Sequence, residues 1–156
     1  MREIVTMDAV IPKLGAGDRD AVIAELLDKL IEAGKLDSSL REEVLGRILD
    51  RESKGSTGFG RGVAIPHVKH PDIKGVSAGI GVSPEGIDFH ALDKQPVYSV
   101  FLLMSPEGDP EIHLRAMEQI FTNLSKDSFR RFLRQAETVE DVQMLLDDAD
   151  NGRLPS

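Results

Sequence analysis

The run Val97 to Met104 constrains the fold of this 156-residue chain more than any other stretch. It is near-continuously apolar, interrupted by Ser99, as a strand becomes when both faces of its sheet are covered. It is far too short for the ~20 residues that span a bilayer. Apolar layers must therefore come from elsewhere in the chain, and segments with helical spacing on either side supply them. Asp18 stands where an N-cap belongs, and Val22, Ile23, Leu26, Leu27, Leu30 and Ile31 follow at helical spacing until Gly34 stops the run. A second helix is expected after Asp37-Ser38, with Leu40, Val44, Leu45, Ile48 and Leu49 on one face, ending near Arg51-Glu52.

Beyond the run, Pro110 suits a first helical turn. Ile112, Ala116, Ile120 and Leu124 then keep the period, with Met117 and Phe121 widening the stripe. Asp127 is placed to cap a helix through Phe129, Phe132 and Leu133, and Thr138 with Asp141 reads as a capping box before Val142, Leu145 and Leu146. Strands are expected in Ile4 to Leu14, in Val63-Ala64-Ile65, and in the alternation Val76, Ala78, Ile80, Val82. Pro84-Glu85-Gly86 reads as a turn before a small edge element in Ile87 to Ala91. Helices, strands and helices around one sheet make a single three-layer α/β domain over residues 1–150, with a tail, 151–156, expected to fray.

Composition removes several function classes. Lys+Arg 19 against Asp+Glu 27 leaves a formal net charge of −8, which repels phosphate backbones and anionic lipid heads. Aromatics are 4% with no Trp, leaving few platforms for base stacking. Neither nucleic acid nor membrane insertion is expected. With no cysteine, disulfides, thiolate zinc sites, iron–sulfur clusters and cysteine nucleophiles fall together. Met1-Arg2-Glu3-Ile4-Val5 carries no apolar leader pattern, so a cytoplasmic location is expected.

The chemistry-bearing stretch is Gly55-Ser56-Thr57-Gly58-Phe59-Gly60-Arg61-Gly62. It lacks the Gly-Lys-Ser/Thr ending of a Walker loop, and Val63 replaces the third glycine of a dinucleotide fingerprint. A helix precedes it and a strand follows, the reverse of the dinucleotide order. Two readings stay open: a tight connection, or backbone that lets an oxyanion approach closely. Of four histidines, His67 and His70 are three apart, but Pro66 and Pro71 bracket them, so the segment is extended and no helical metal pair forms. No metal or cofactor is expected. His70 and His90 read as solvent-exposed loop residues.

His67 follows an apolar strand and a proline, at a strand end where α/β proteins assemble sites. A neutral imidazole is nucleophilic and takes a phosphoryl group on a ring nitrogen. Taken alone, His67 reads as a capped strand-end histidine. His113 falls just after Pro110, where a helix start favours anions, and Arg51 supplies a guanidinium ahead of the glycine loop. Each of these alone is an ordinary helix residue.

Together they carry a resemblance. The run Asp50-Arg51-Glu52-Ser53-Lys54-Gly55-Ser56-Thr57-Gly58-Phe59-Gly60-Arg61-Gly62-Val63-Ala64-Ile65-Pro66-His67 resembles the active-site signature of IIA domains of the bacterial phosphoenolpyruvate-dependent phosphotransferase system (PTS), of the fructose/mannitol/nitrogen-regulatory type. Gln95-Pro96-Val97, Phe101-Leu102-Leu103 and Glu111-Ile112-His113-Leu114 resemble the second half of the same domain.

The resemblance implies an α/β/α fold with a mixed sheet and phosphorylation of His67 on Nε2, as a tele-phosphohistidine. His113 and Arg51 would stabilise the phosphoryl group, and Ser56 and Thr57 would donate hydroxyl hydrogen bonds to it. It further implies phosphoryl transfer from a histidine phosphocarrier protein (HPr or a nitrogen-type paralogue) to a IIB component. The alternative it implies is a regulator whose phosphorylation state controls binding to target proteins. One departure stands out. Many members carry glycine after the active histidine, and this chain has Val68, which resists positive φ. Phe59 and Val68 are candidates for an apolar partner surface around His67, and Arg61 is expected to face solvent.

Overall fold

The computed structural model describes residues 1–155; Ser156, at the end of the tail, lies outside the described residues. Among these residues six strands, in one mixed sheet, and five α-helices follow in the order β1 (Val5–Ile11), α1 (Arg19–Glu32), α2 (Arg41–Lys54), β2 (Gly58–Gly60), β3 (Val63–Ala64), β4 (His67–His70), β5 (Ser77–Ile87), β6 (Val97–Pro106), α3 (Pro110–Leu124), α4 (Asp127–Gln135) and α5 (Val139–Asp150). The strand order is β1-β5-β6-β3-β2, and β4 also pairs with β6. The β5/β6 and β2/β3 pairs are antiparallel; β1/β5, β3/β6 and β4/β6 are parallel.

β6 is the strand that the apolar run predicts. Val97, Val100, Leu102 and Met104 enter one apolar cluster, with Val22, Ile23, Leu26 and Leu27 of α1 and Val44 and Ile48 of α2. Phe101 and Leu103 enter a second, with Ile120 and Leu124 of α3, Phe129 of α4 and Val142 of α5. From Val100 onward the strand period of two divides one apolar run between two cores, each fully buried side chain contributing about 1.5–3 kcal/mol. β5 is built to match. Ala78, Ile80 and Val82 face the second cluster, while Gly79 and Gly81 let the other layer approach closely. A Cβ on Gly81 would fall 2.6 Å from Leu14 Cδ2.

Several local expectations shift. Asp37 caps a short 3₁₀ turn, Ser38–Leu40, so α2 starts at Arg41 and runs on to Lys54. Lys126 takes the N-cap of α4, and Asp127 lies in its first turn instead. The Thr138/Asp141 capping box is formed. Pro84-Glu85-Gly86 does not end the strand: β5 continues to Ile87 through a register shift opposite β6, with Gly86 at φ +86°. Pairing to β6 resumes at Ile87, so the three residues form a bulge inside the strand rather than a turn that ends it. Beyond α5, Leu154 packs against the second cluster, and Ser128 Oγ donates to the Pro155 carbonyl. No helix among the described residues is long and apolar enough to cross a membrane.

Candidate functional site

β4 runs parallel to β6, pairing His67 with Leu103 and Lys69 with Ser105. β6 then leads into α3, whose Asp109 N-cap accepts from the Ile112 N–H at 3.2 Å, with Pro110 in the first turn. Two segments distant in sequence thereby bring His67 and His113 together, their ring centroids 5.5 Å apart and tilted by 50°.

His67 is half-buried, and its Nδ1 lies 2.8 Å from the Ile65 carbonyl oxygen. A carbonyl only accepts, so Nδ1 carries the proton and Nε2 keeps its lone pair. Pro66 stiffens the two-residue span between ring and carbonyl. The bond therefore selects the nucleophilic nitrogen.

His113 is buried, its Nδ1 2.7 Å from Ser105 Oγ. Burial, with His67 and Lys69 adding like-charge repulsion, lowers its pKa from 6.5 to about 4. It is neutral at pH 7. If the Ser105 hydroxyl donates to Nδ1, the His113 Nε2–H is free to donate in turn.

The glycine loop is held from beneath. Thr57 N donates to Glu52 Oε2 at 3.2 Å and Thr57 Oγ1 donates to Glu52 Oε1, a carboxylate only 2% exposed. Ser56 Oγ donates to the Phe89 carbonyl at 2.8 Å and accepts from Gly58 N at 3.0 Å. Each hydroxyl has one proton, and each proton is already engaged. Arg51 Nη1 donates to the Gly55 carbonyl at 2.6 Å, where α2 passes into the loop. Arg51, Ser56 and Thr57 thus gather at the loop, and no hydrogen bond among the described residues joins them to either ring.

The remaining histidines separate. His90 is exposed, as expected. His70 is not: it is 1% exposed, its Nδ1 accepting from the Asp72 N–H at 3.0 Å and its Nε2 3.2 Å from Glu43 Oε2. Three residues along a strand reverse the face, so His70 packs toward α2 while His67 faces α3. Val68 also turns inward, 5% exposed in the first cluster, and so is not part of a partner surface. Phe59 is half-buried against Phe121, ring centroids 4.9 Å apart. Sequence reasoning misses Ser105, Lys69 and Glu52. Ser105 leaves a faint signal as the polar residue that ends the apolar run; Glu52 leaves none.

Residues 3–149 match the family described as Phosphoenolpyruvate-dependent sugar phosphotransferase system, EIIA 2. The chain belongs to this EIIA family. Its similarity to the PTS system fructose-specific EIIABC component of Bacillus subtilis is 32% identity over 148 residues, covering 95% of this chain and 23% of that longer protein. To a nitrogen regulatory protein of Bradyrhizobium diazoefficiens it is 32% identical over 144 residues, 92% of each. The crystal structure of the nitrogen regulatory protein IIA-Ntr from Neisseria meningitidis superposes with a TM-score of 0.82 at 28% identity, covering 92% of this chain and 97% of that one. The fructose-specific protein and the nitrogen regulatory protein are thus each 32% identical to this chain.

Proposed function

We propose that His67 carries a phosphoryl group between two protein partners. The observation supporting this most strongly is the His67 Nδ1 to Ile65 carbonyl bond, which leaves Nε2 as the attacking nitrogen. In the accepting step the Nε2 lone pair forms a P–N bond as the P–N bond to a phosphorylated histidine carrier breaks, and the departing imidazole recovers its electron pair. The His67 Nδ1 proton stays in place throughout, so no general base is needed. The product is a tele-phosphohistidine.

Transfer of this kind spreads charge over the equatorial oxygens, so fixed donors and cations govern the rate. We assign Nε2–H of neutral His113, oriented by Ser105, and the Lys69 ammonium to that role, because both lie on the His67 side of the sheet. Arg51 is assigned a phosphate contact on release from the Gly55 carbonyl; Ser56 and Thr57 shape the loop. Leu114 and Phe121, both exposed and seven residues apart on α3, with Phe59, offer an apolar docking surface next to the rings.

The recipient is a IIB component, in keeping with the fused EIIABC relative. A regulatory role, in which His67 phosphorylation controls binding to target proteins, is supported by the fit to IIA-Ntr at TM-score 0.82. Either role would be carried out in the cytoplasm, which is part of the proposal. Incubation with phosphoenolpyruvate, enzyme I and the histidine phosphocarrier should put one acid-labile phosphate on the chain, and adding IIB should then discharge it. An unlabelled chain defeats the carrier reading; a labelled chain that no IIB discharges favours regulation.

A further inference from the structure

The β2–β3 hairpin tip, the start of β6 and helix α4 enclose a cleft of about 640 Å³ that shares no residue with the His67 site. On a chain of net charge −8 it is lined by Arg61, Arg130, Arg131 and Arg134. Its two carboxylates are both engaged. Asp127 lies 3.3 Å from Arg130 Nη2 and 3.8 Å from Arg131 Nη1. Asp93 accepts the backbone N–H groups of Arg61 at 3.3 Å and Gln95 at 3.0 Å. Among the described residues, the guanidinium groups of Arg61 and Arg134 therefore have no carboxylate partner.

Arg61 is set in place at some cost, and Arg134 is held in advance by a stacking contact. Arg61 and Gly62 form the two-residue turn between β2 and β3, with φ of +60° and +78°. A turn of that hand favours asparagine, aspartate or glycine, so the arginine is held in a backbone conformation that its side chain does not favour. Arg134 lies flat on the Tyr98 ring, its Cζ 3.5 Å from the centroid. Stacking fixes the plane of the fork in advance and leaves less rotamer freedom to lose on binding.

We propose that this cleft binds a compact phosphorylated small molecule bearing at least two negative charges, a diphosphate or a bisphosphorylated metabolite. Planar guanidinium forks match phosphate oxygens bidentately, and two unpaired forks call for more than one anionic charge. The volume falls in the ~300–1,000 Å³ range of small-molecule pockets, and a concave site of this kind suits a small molecule better than a flat protein face.

Titration calorimetry of the full chain with inorganic pyrophosphate, in phosphate-free buffer at moderate salt, tests this. Saturable one-to-one binding is expected, with amide shifts at Arg61, Gly62, Tyr98 and Arg134 in ¹⁵N spectra. The double variant R61G/R134Q should weaken binding by about tenfold or more, since each lost fork removes charge-assisted hydrogen bonds. Glycine suits the φ at position 61, so the single variant R61G keeps the fold and should itself weaken binding several-fold. The double variant K13A/K74A removes the same net charge from exposed positions elsewhere and should leave affinity within about twofold. No saturable heat with the wild type overturns the proposal. So does an equal loss in K13A/K74A, which would mean diffuse attraction, or tighter binding of a hexaglutamate peptide than of pyrophosphate, which would assign the cleft to an acidic protein segment.

Discussion

His67 and His70 share one four-residue strand, yet the fold gives them opposite tautomers and opposite fates. A carbonyl faces Nδ1 of His67, so that nitrogen must donate and Nε2 is left with its lone pair at a half-open surface. A backbone N–H faces Nδ1 of His70, so that nitrogen must accept, and Nε2 with its proton is turned into the protein toward Glu43. The two rings are chemically identical. What differs is the backbone group each meets, and the alternation of the strand decides which layer each enters. The polarity of one neighbouring main-chain atom separates the histidine proposed to carry the phosphoryl group from one that packs toward α2.

The largest test of that contrast is H67A, which should abolish phosphorylation, while H70A and H90A keep full labelling at the endpoint by ³²P transfer. Labelling of H67A with loss in H70A would reverse the assignment. Next, H113A should retain the acceptor but slow transfer by about 10²-fold, as expected for one lost electrostatic donor. S105A, which removes only the partner of the His113 ring, should give a smaller slowing; rapid-quench rates measure both. For the other ring, H70A should cost about 2–3 kcal/mol in urea denaturation, because it empties a buried site and strips the Asp72 N–H of its acceptor. An H70A protein as stable as the wild type would show that its burial matters little.

The smallest expected effect is on pH dependence. The His113 pKa lies near 4 in the folded state against 6.5 ordinarily, so between those values the unfolded chain binds more protons. Stability should therefore fall as pH drops from about 6.5 toward about 4 and be unaffected by this group above that range. Solvent at the mouth of the site screens the charge, so the loss is set at roughly 1–2 kcal/mol rather than the full conversion of the shift. Denaturation midpoints of wild type and H113N across this range should converge at acid pH once other titrations are matched.

Much of the architecture was legible because local rules and tertiary demands agree. Helical spacing placed α1 to α5, and the apolar run placed β6, since a strand buried on both faces has no polar face to show. The short strands were harder. β2 lies inside a glycine-rich stretch and β4 between two prolines, and both exist because β3 and β6 offer them partners. Pro84-Glu85-Gly86 carries a turn signal that the structure absorbs as a break in register, with pairing to β6 resuming at Ile87. His70 is buried where its polarity predicts exposure, because α2 covers the face of β4 on which it lies.

The site divides in the same way. The chain alone marked the family through one long signature, and with it the side chains proposed for the chemistry: an imidazole at a strand end, a second at a helix start and a guanidinium before a glycine loop. Only the tertiary structure decided that His67 keeps its lone pair on Nε2, that His113 is neutral, and that Ser56 and Thr57 spend their protons on Phe89 and Glu52. Those outcomes depend on contacts between groups distant along the chain, such as Ser105 with His113 and Ser56 with Phe89, and on which main-chain atom lies within 3 Å of a ring. Spacing rules describe residues a few positions apart; hydrogen bonding and desolvation act through space, and so become readable only once the chain has folded.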